Sequence, residues 1–91
     1  MLETVKLALR IVTDDFDEEI QLLIDDCISE MEHLGVTVFE QGEDDPQIVS
    51  TVIAYCKWRF GDADNKTEWE KIYHTKLGQF QMMSLYTEFD G

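Results

Sequence analysis

Phe16-Asp-Glu-Glu-Ile20-Gln-Leu-Leu-Ile-Asp25-Asp-Cys-Ile-Ser-Glu30-Met-Glu-His-Leu-Gly35 is the stretch that decides the fold. Phe16, Ile20, Leu23, Ile24, Cys27, Ile28, Met31 and Leu34 recur at spacings of three and four over about five turns, which predicts one long amphipathic helix. Gly35 supplies the expected C-terminal stop, because glycine enters the left-handed conformation that ends helices without a Cβ clash. On the N-terminal side, Thr13, Asp14 and Asp15 are three consecutive good cap residues. Asp15 and Glu18 have the spacing of a capping box, worth about 1 kcal/mol. Asp14, Asp15, Asp17, Glu18 and Glu19 crowd the start of this helix, where carboxylates meet the positive end of its dipole.

Working outward, residues from Glu3 to about Arg10 place Val5 and Leu9 on one face with Leu2 a turn earlier, a helix too short to stand alone. After Gly35, the β-branched run Val36 to Phe39 finds no partner strand and reads as the start of a loop continuing through Glu40 to Asp45. Asp45 before Pro46 is a cap followed by proline at the first helical position, where its missing N–H costs nothing. The helix that follows carries Ile48, Val49, Val52, Ile53, Cys56 and Phe60 on one face, ends at Gly61, and is expected to pack antiparallel to the long helix. Asp62, Asp64 and Asn65 form a polar turn that can cap a fourth helix, with Trp69, Ile72, Tyr73, Leu77 and Phe80 at helical spacing. The predicted fold class is therefore all-α, a compact bundle of about four helices with one long central helix, in a single domain over residues 1–91. Residues 85–91 are less periodic and read as a loose tail. Tyr86 and Phe89 make that tail either a docking peptide or a strand of chain folded onto its own core.

The chain has 91 residues, 44% of them hydrophobic, enough for one modest core and no second domain. No apolar run approaches the roughly 20 residues that span a bilayer, and the N-terminus lacks the basic and apolar regions of a signal peptide, so a cytosolic location without membrane association is expected. Cys27 and Cys56 each fall on an apolar stripe without CxxC spacing, as buried free thiols do, and a disulfide between them is not expected in a reducing compartment.

The net charge of −13 is unevenly distributed. Between Ile11 and Cys56 there are thirteen acids and no Lys or Arg. All seven basic residues lie outside: Lys6 and Arg10 before, then Lys57, Arg59, Lys66, Lys71 and Lys76 after. Affinity for nucleic acid comes from cations that neutralise phosphates, so tight nucleic-acid binding is not expected. Solvated helix faces account for much of the acid.

Catalytic motifs are scarce. His33 and His74 stand in neither HxxxH nor HExxH arrangements, and GxSxG, P-loop and GxGxxG patterns are missing. An EF-hand loop read from Asp62 puts Lys66 at position 5 and Thr67 at position 6, which fails both requirements for calcium. Asp25 and Asp26 are adjacent on a helix and point in different directions. No catalytic residue, cofactor or metal is expected.

Four features in order resemble a phage family: Val5-Lys6-x-x-Leu9-Arg10-Ile11, then Phe16-Asp17-Glu18-Glu19-Ile20, then Leu34-Gly35-Val36, then Asp45-Pro46 leading to Tyr55-Cys56-Lys57 and Phe60-Gly61. With the spacing of Trp69, Tyr73, Leu77 and Tyr86, they look like the head-tail connector, or adaptor, proteins of tailed bacteriophages and prophages, also labelled DNA-packaging proteins. The likeness covers essentially the whole chain. It departs from the family in the acid load of Asp14 and Asp15 and in the acidic loop through Glu43 and Asp44. What the resemblance implies is a structural, non-enzymatic virion protein. Its subunits, either already associated or monomeric until the portal templates them, would form a ring of about twelve beneath the portal, help to retain packaged DNA, and offer a surface to the next connector or tail protein, with DNA passing through the ring. It places the protein in the host cytoplasm during assembly and at the head-tail junction of the virion.

A closed ring needs one face of each subunit against a different face of its neighbour. The expected subunit interface sets the acidic second helix, with Asp17, Glu18 and Asp25, against the basic Lys57, Arg59, Lys71 and Lys76 of the next copy. Carboxylates left over would line the ring and repel passing DNA. A reading from another class is an acidic DNA mimic that blocks a DNA-binding enzyme, which the composition supports but which predicts no particular order of helix and turn signals.

Overall fold

A computed structural model of the chain describes residues 1–35, 45–60 and 66–82, with side chains through residue 80 in the last segment. The described residues form four helices and no strand: α1 (Leu2–Leu9), α2 (Asp17–His33), α3 (Pro46–Arg59) and α4 (Lys66–Met82). The all-α architecture agrees with the helical periodicity of the sequence. The loop from Val36, the turn at Asp62, Asp64 and Asn65, and the tail with Tyr86 and Phe89 lie outside the described residues.

α1 ends where Arg10 takes a left-handed conformation, φ 61°, so that the N–H groups of Arg10 and Ile11 bond back to the carbonyls of Leu7 and Lys6 at 3.1 and 2.9 Å. Val5 is fully buried. Lys6, against the pattern of charged residues, is buried too, with 5% of its surface exposed. Its ammonium lies 2.9 Å from an Asp14 oxygen and 2.8 Å from Asp17 Oδ1, tying the end of α1 to the start of α2. Hydrogen bonding to Asp17 and then Asp14 raises the Lys6 pKa, and the same bond lowers that of Asp14.

This clamp corrects the expected start of α2. The helix begins at Asp17, the cap position is Phe16, and no side chain caps it; the Asp15–Glu18 box does not form. The Asp15 N–H is instead donated to Thr13 Oγ1 at 3.2 Å, and the Asp17 N–H to the Asp14 carbonyl at 3.2 Å. Two long-range demands explain the shift. Lys6 holds the carboxylates on either side of the turn, and the Phe16 ring packs edge-on against Phe60, with centroids 5.6 Å apart. That contact sets the beginning of α2 beside the end of α3, as antiparallel packing requires.

The cap expectations at Gly35 and Asp45 agree with the structure, while the stop at Gly61 lies outside the described residues. Gly35 has φ 92° just past α2, where a side chain would be strained. Asp45 Oδ1 accepts from the N–H groups of Gln47 and Ile48 at 2.8 and 3.4 Å, with Pro46 as the first helical residue.

α2 buries Ile20, Ile24, Cys27 and Met31. α4 buries Tyr73, Leu77 and Phe80. α3 is the hub: it packs on each of the other three helices, most extensively on α4. Its buried set, Ile48, Thr51, Val52, Ala54, Tyr55 and Cys56, is wider than the single predicted face. Thr51 is admitted to the core because its hydroxyl donates to the Gln47 carbonyl at 2.8 Å, leaving the methyl group to pack. Cys27 and Cys56 are buried free thiols, and loss of solvent pushes both up, Cys56 to about 12.

Candidate functional site

With about 100° between successive helical residues, the buried Ile20, Ile24, Cys27 and Met31 fall within about 60° of arc on α2. Glu18, Leu22, Asp25 and Ser29 occupy the opposite side of the helix, and all four are exposed. Leu22, between these acids along the helix, keeps 69% of its surface accessible. An open groove of about 330 Å3 beside it is lined by Glu18, Gln21, Leu22 and Asp25. Gln21 donates to Asp25 Oδ1 at 2.9 Å, fixing one wall. Two of the sequence-predicted interface residues, Glu18 and Asp25, thus share an outward face.

Asp17 does not share it. It sits about 100° around the helix from Glu18, half-buried, with Oδ1 turned inward to Lys6. Its role within the subunit is the clamp between α1 and α2, which the sequence did not suggest because Lys6 is eleven positions away.

The basic candidates divide between two flanks of the α3–α4 pair. On one flank, the Arg59 guanidinium lies over the rings of Tyr55 and Trp58 at 5.6 and 5.4 Å from their centroids. Trp58 continues this flank to the exposed His74, 5.6 Å away. On the other, the Lys57 ammonium sits 4.5 Å from the centre of the Trp69 ring. Trp69, Ile72 and Lys76 fall within about 60° of arc on α4, so Lys76 belongs with Lys57 and Trp69. Lys71, about 140° from Lys76 around α4, points away from the core. Both ion pairs among the described residues are made by Lys6, so none of these four cations forms an ion pair with a described acid. The charge block in the sequence separated acids from bases but carried no signal for this division, which depends on how α3 lies on α4.

Between these surfaces runs a buried polar link. Tyr73, fully buried, donates its hydroxyl to Glu30 Oε1 at 2.9 Å, and the Cys27 thiol lies 3.9 Å from the same hydroxyl. Burial is the main cause of the raised Tyr73 pKa, so the hydroxyl stays protonated and serves as a donor between α2 and α4. Tyr73 also meets Tyr55 edge-on at 4.9 Å, joining the link to α3. These groups fasten helices together. Among the described residues no group of three or more His, Cys, Asp or Glu is placed to hold a metal ion, and no helix is long and apolar enough to cross a membrane.

No curated protein and no solved structure matches the chain. The family model for phage connector proteins, however, matches residues 1–85, a span that takes in α1 to α4 with both the acidic face of α2 and the two basic flanks. The chain therefore belongs to the phage connector protein family.

Proposed function

We propose that this chain is a structural subunit of the phage head-tail junction, assembling as a ring beneath the portal, helping to keep packaged DNA inside, and presenting a surface to the next connector or tail protein. The observation that carries this reading is the family match across all four helices. The geometry supports it in a specific way. The outward face of α2 is acidic and the flanks of α3–α4 are basic, so the two surfaces are unlike. Unlike surfaces associate head to tail, the mode from which cyclic rings are built.

Glu18 and Asp25 on one copy would meet one basic flank of the next, either Lys57 with Lys76 or Arg59, while Lys71 faces elsewhere and Asp17 contributes from within its own subunit by holding α1 in place. Carboxylates beyond those pairs would face the DNA path and keep passing DNA from adhering. The role is structural and uses no catalytic group. Electron microscopy of the purified protein mixed with its cognate portal tests the reading: a ring of density at the base of the portal is expected, and a portal left bare at saturating protein would refute it.

A further inference from the structure

Charged rims alone make weak interfaces, because exposed ion pairs contribute little after solvation and side-chain ordering; stable association needs an apolar centre from which water is excluded. The α2 face has one. Glu18, Leu22 and Asp25 lie within about 60° of arc, an exposed leucine between two acids, the acids seven residues or about 10 Å apart along the axis.

A stripe of the complementary kind lies on α4. Trp69, Ile72 and Lys76 also span seven residues, hence about 10 Å, within about 60° of arc. Ile72 is 39% exposed at the middle. Lys76 provides a cation at one end, and Lys57, stacked on Trp69 at 4.5 Å, provides a cation at the other. The order acid, leucine, acid is matched by cation, isoleucine, cation, with Lys76 and the Trp69 ring that carries Lys57 at the same axial spacing as the two acids.

We propose that Leu22 is the apolar anchor of a self-interface and seats against Ile72 and Trp69 of a second copy of this chain, with Glu18 and Asp25 meeting Lys57 and Lys76. This rests on reading the chain as a subunit that associates with copies of itself. Pairing of two α2 faces with each other is disfavoured, because it would set Glu18 and Asp25 against like charges. The Arg59–Trp58–His74 flank lies on the other side of the pair and stays open for a different contact.

Leu22→Asp and Ile72→Asp both change exposed positions, and circular dichroism verifies that each variant keeps its helices. In sedimentation equilibrium carried to millimolar protein, the wild type is expected to self-associate, and each variant to do so at least about tenfold more weakly. An equimolar mixture of the two variants should then form a dimer and stop there, since each supplies the one intact face that the other lacks. A wild type that is monomeric throughout, variants that associate like the wild type, or a mixture that stays monomeric would each overturn the inference. Binding to the cognate portal separates this from the broader reading: a wild type that ignores the portal sinks the connector role, whereas portal binding together with unaltered self-association of Leu22→Asp sinks only the Leu22 anchor.

Discussion

Replacing Tyr73 by Phe tests the link between α2 and α4 with the smallest available change. The ring remains, so its contacts with Tyr55 and Trp58 and the packing of the core are retained. What disappears is one buried hydroxyl, and with it a 2.9 Å bond donated to the Glu30 carboxylate and a weak 3.9 Å contact from the Cys27 thiol. A hydrogen bond to a charged acceptor contributes about 1.5–3 kcal/mol. Glu30 is half-buried, so water recovers part of that when the partner leaves. The expected loss is therefore about 1–2 kcal/mol, a fall in Tm of about 5–10 °C for a domain of this size. Urea unfolding followed by tryptophan fluorescence measures it, with Trp58 close to the altered site, and the slope against urea should not change. Adding Glu30→Gln closes a double-mutant cycle, in which a coupling of about 1 kcal/mol is expected. A Tyr73→Phe protein within about 0.3 kcal/mol of the wild type, or single effects that simply add, would refute the claim that this bond fastens α4 to α2.

Lys6→Met should destabilise the protein at neutral pH by leaving the inward oxygen of Asp17 without its cation, and should flatten the acid side of the stability profile. The sign follows from the shifts: the depressed pKa of Asp14 contributes stability above its ordinary value of 3.8 that is lost as pH falls through the folded value, while the raised pKa of Lys6 contributes below its ordinary 10.5 and is lost only in strong alkali. Thermal melts from pH 2 to 7 compare the two proteins, and parallel profiles would show that the clamp does not couple stability to pH. Arg10→Gly should stabilise by about 0.5–1 kcal/mol, since φ 61° carries a steric cost for any residue with a Cβ and none for glycine; a lower midpoint in urea would mean that the arginine side chain contributes more than its backbone costs.

The parts of the fold that were legible in the sequence are those fixed by nearby atoms. The stop at Gly35 depends on one residue's backbone, and the start of α3 on an Asp45 carboxylate reaching two and three residues ahead. The start of α2 was misplaced because it is decided from a distance. Asp15 and Glu18 satisfy the local pattern of a cap, but Lys6 engages Asp14 and Asp17, and Phe60 holds Phe16. The burial of Thr51 and Ala54 escaped for a related reason. A hydroxyl that bonds its own helix and a methyl side chain carry almost no hydropathy signal, and only the position of α3 between three neighbours puts them inside. For the assembly surfaces, the charge block told acid from base. The same block could not show that Asp17 turns inward, or that Lys57 and Arg59, two residues apart, stack on different tryptophans.

That separation bears on how an acidic protein can assemble with itself. Two copies of net charge −13 repel at long range, through a field that about 0.1 M salt screens beyond roughly 10 Å. In the proposed interface attraction would arise only at contact, when Glu18 and Asp25 come opposite Lys57 and Lys76 and the apolar centre between them loses its water. The long-range and contact terms thus have opposite sign, and the contact term requires correct register, because a shift of one helical turn would set an acid against Ile72 and Leu22 against a cation. Free subunits in this balance gain little from random encounters. Subunits already held side by side on a symmetric platform have met the cost of approach and orientation, so the same contacts then act with a much higher effective concentration. On the proposed reading, an acidic surface interrupted by one matched stripe on each of two helices is thus suited to a protein whose free copies associate only weakly, at high concentration, and firmly once a portal brings them together.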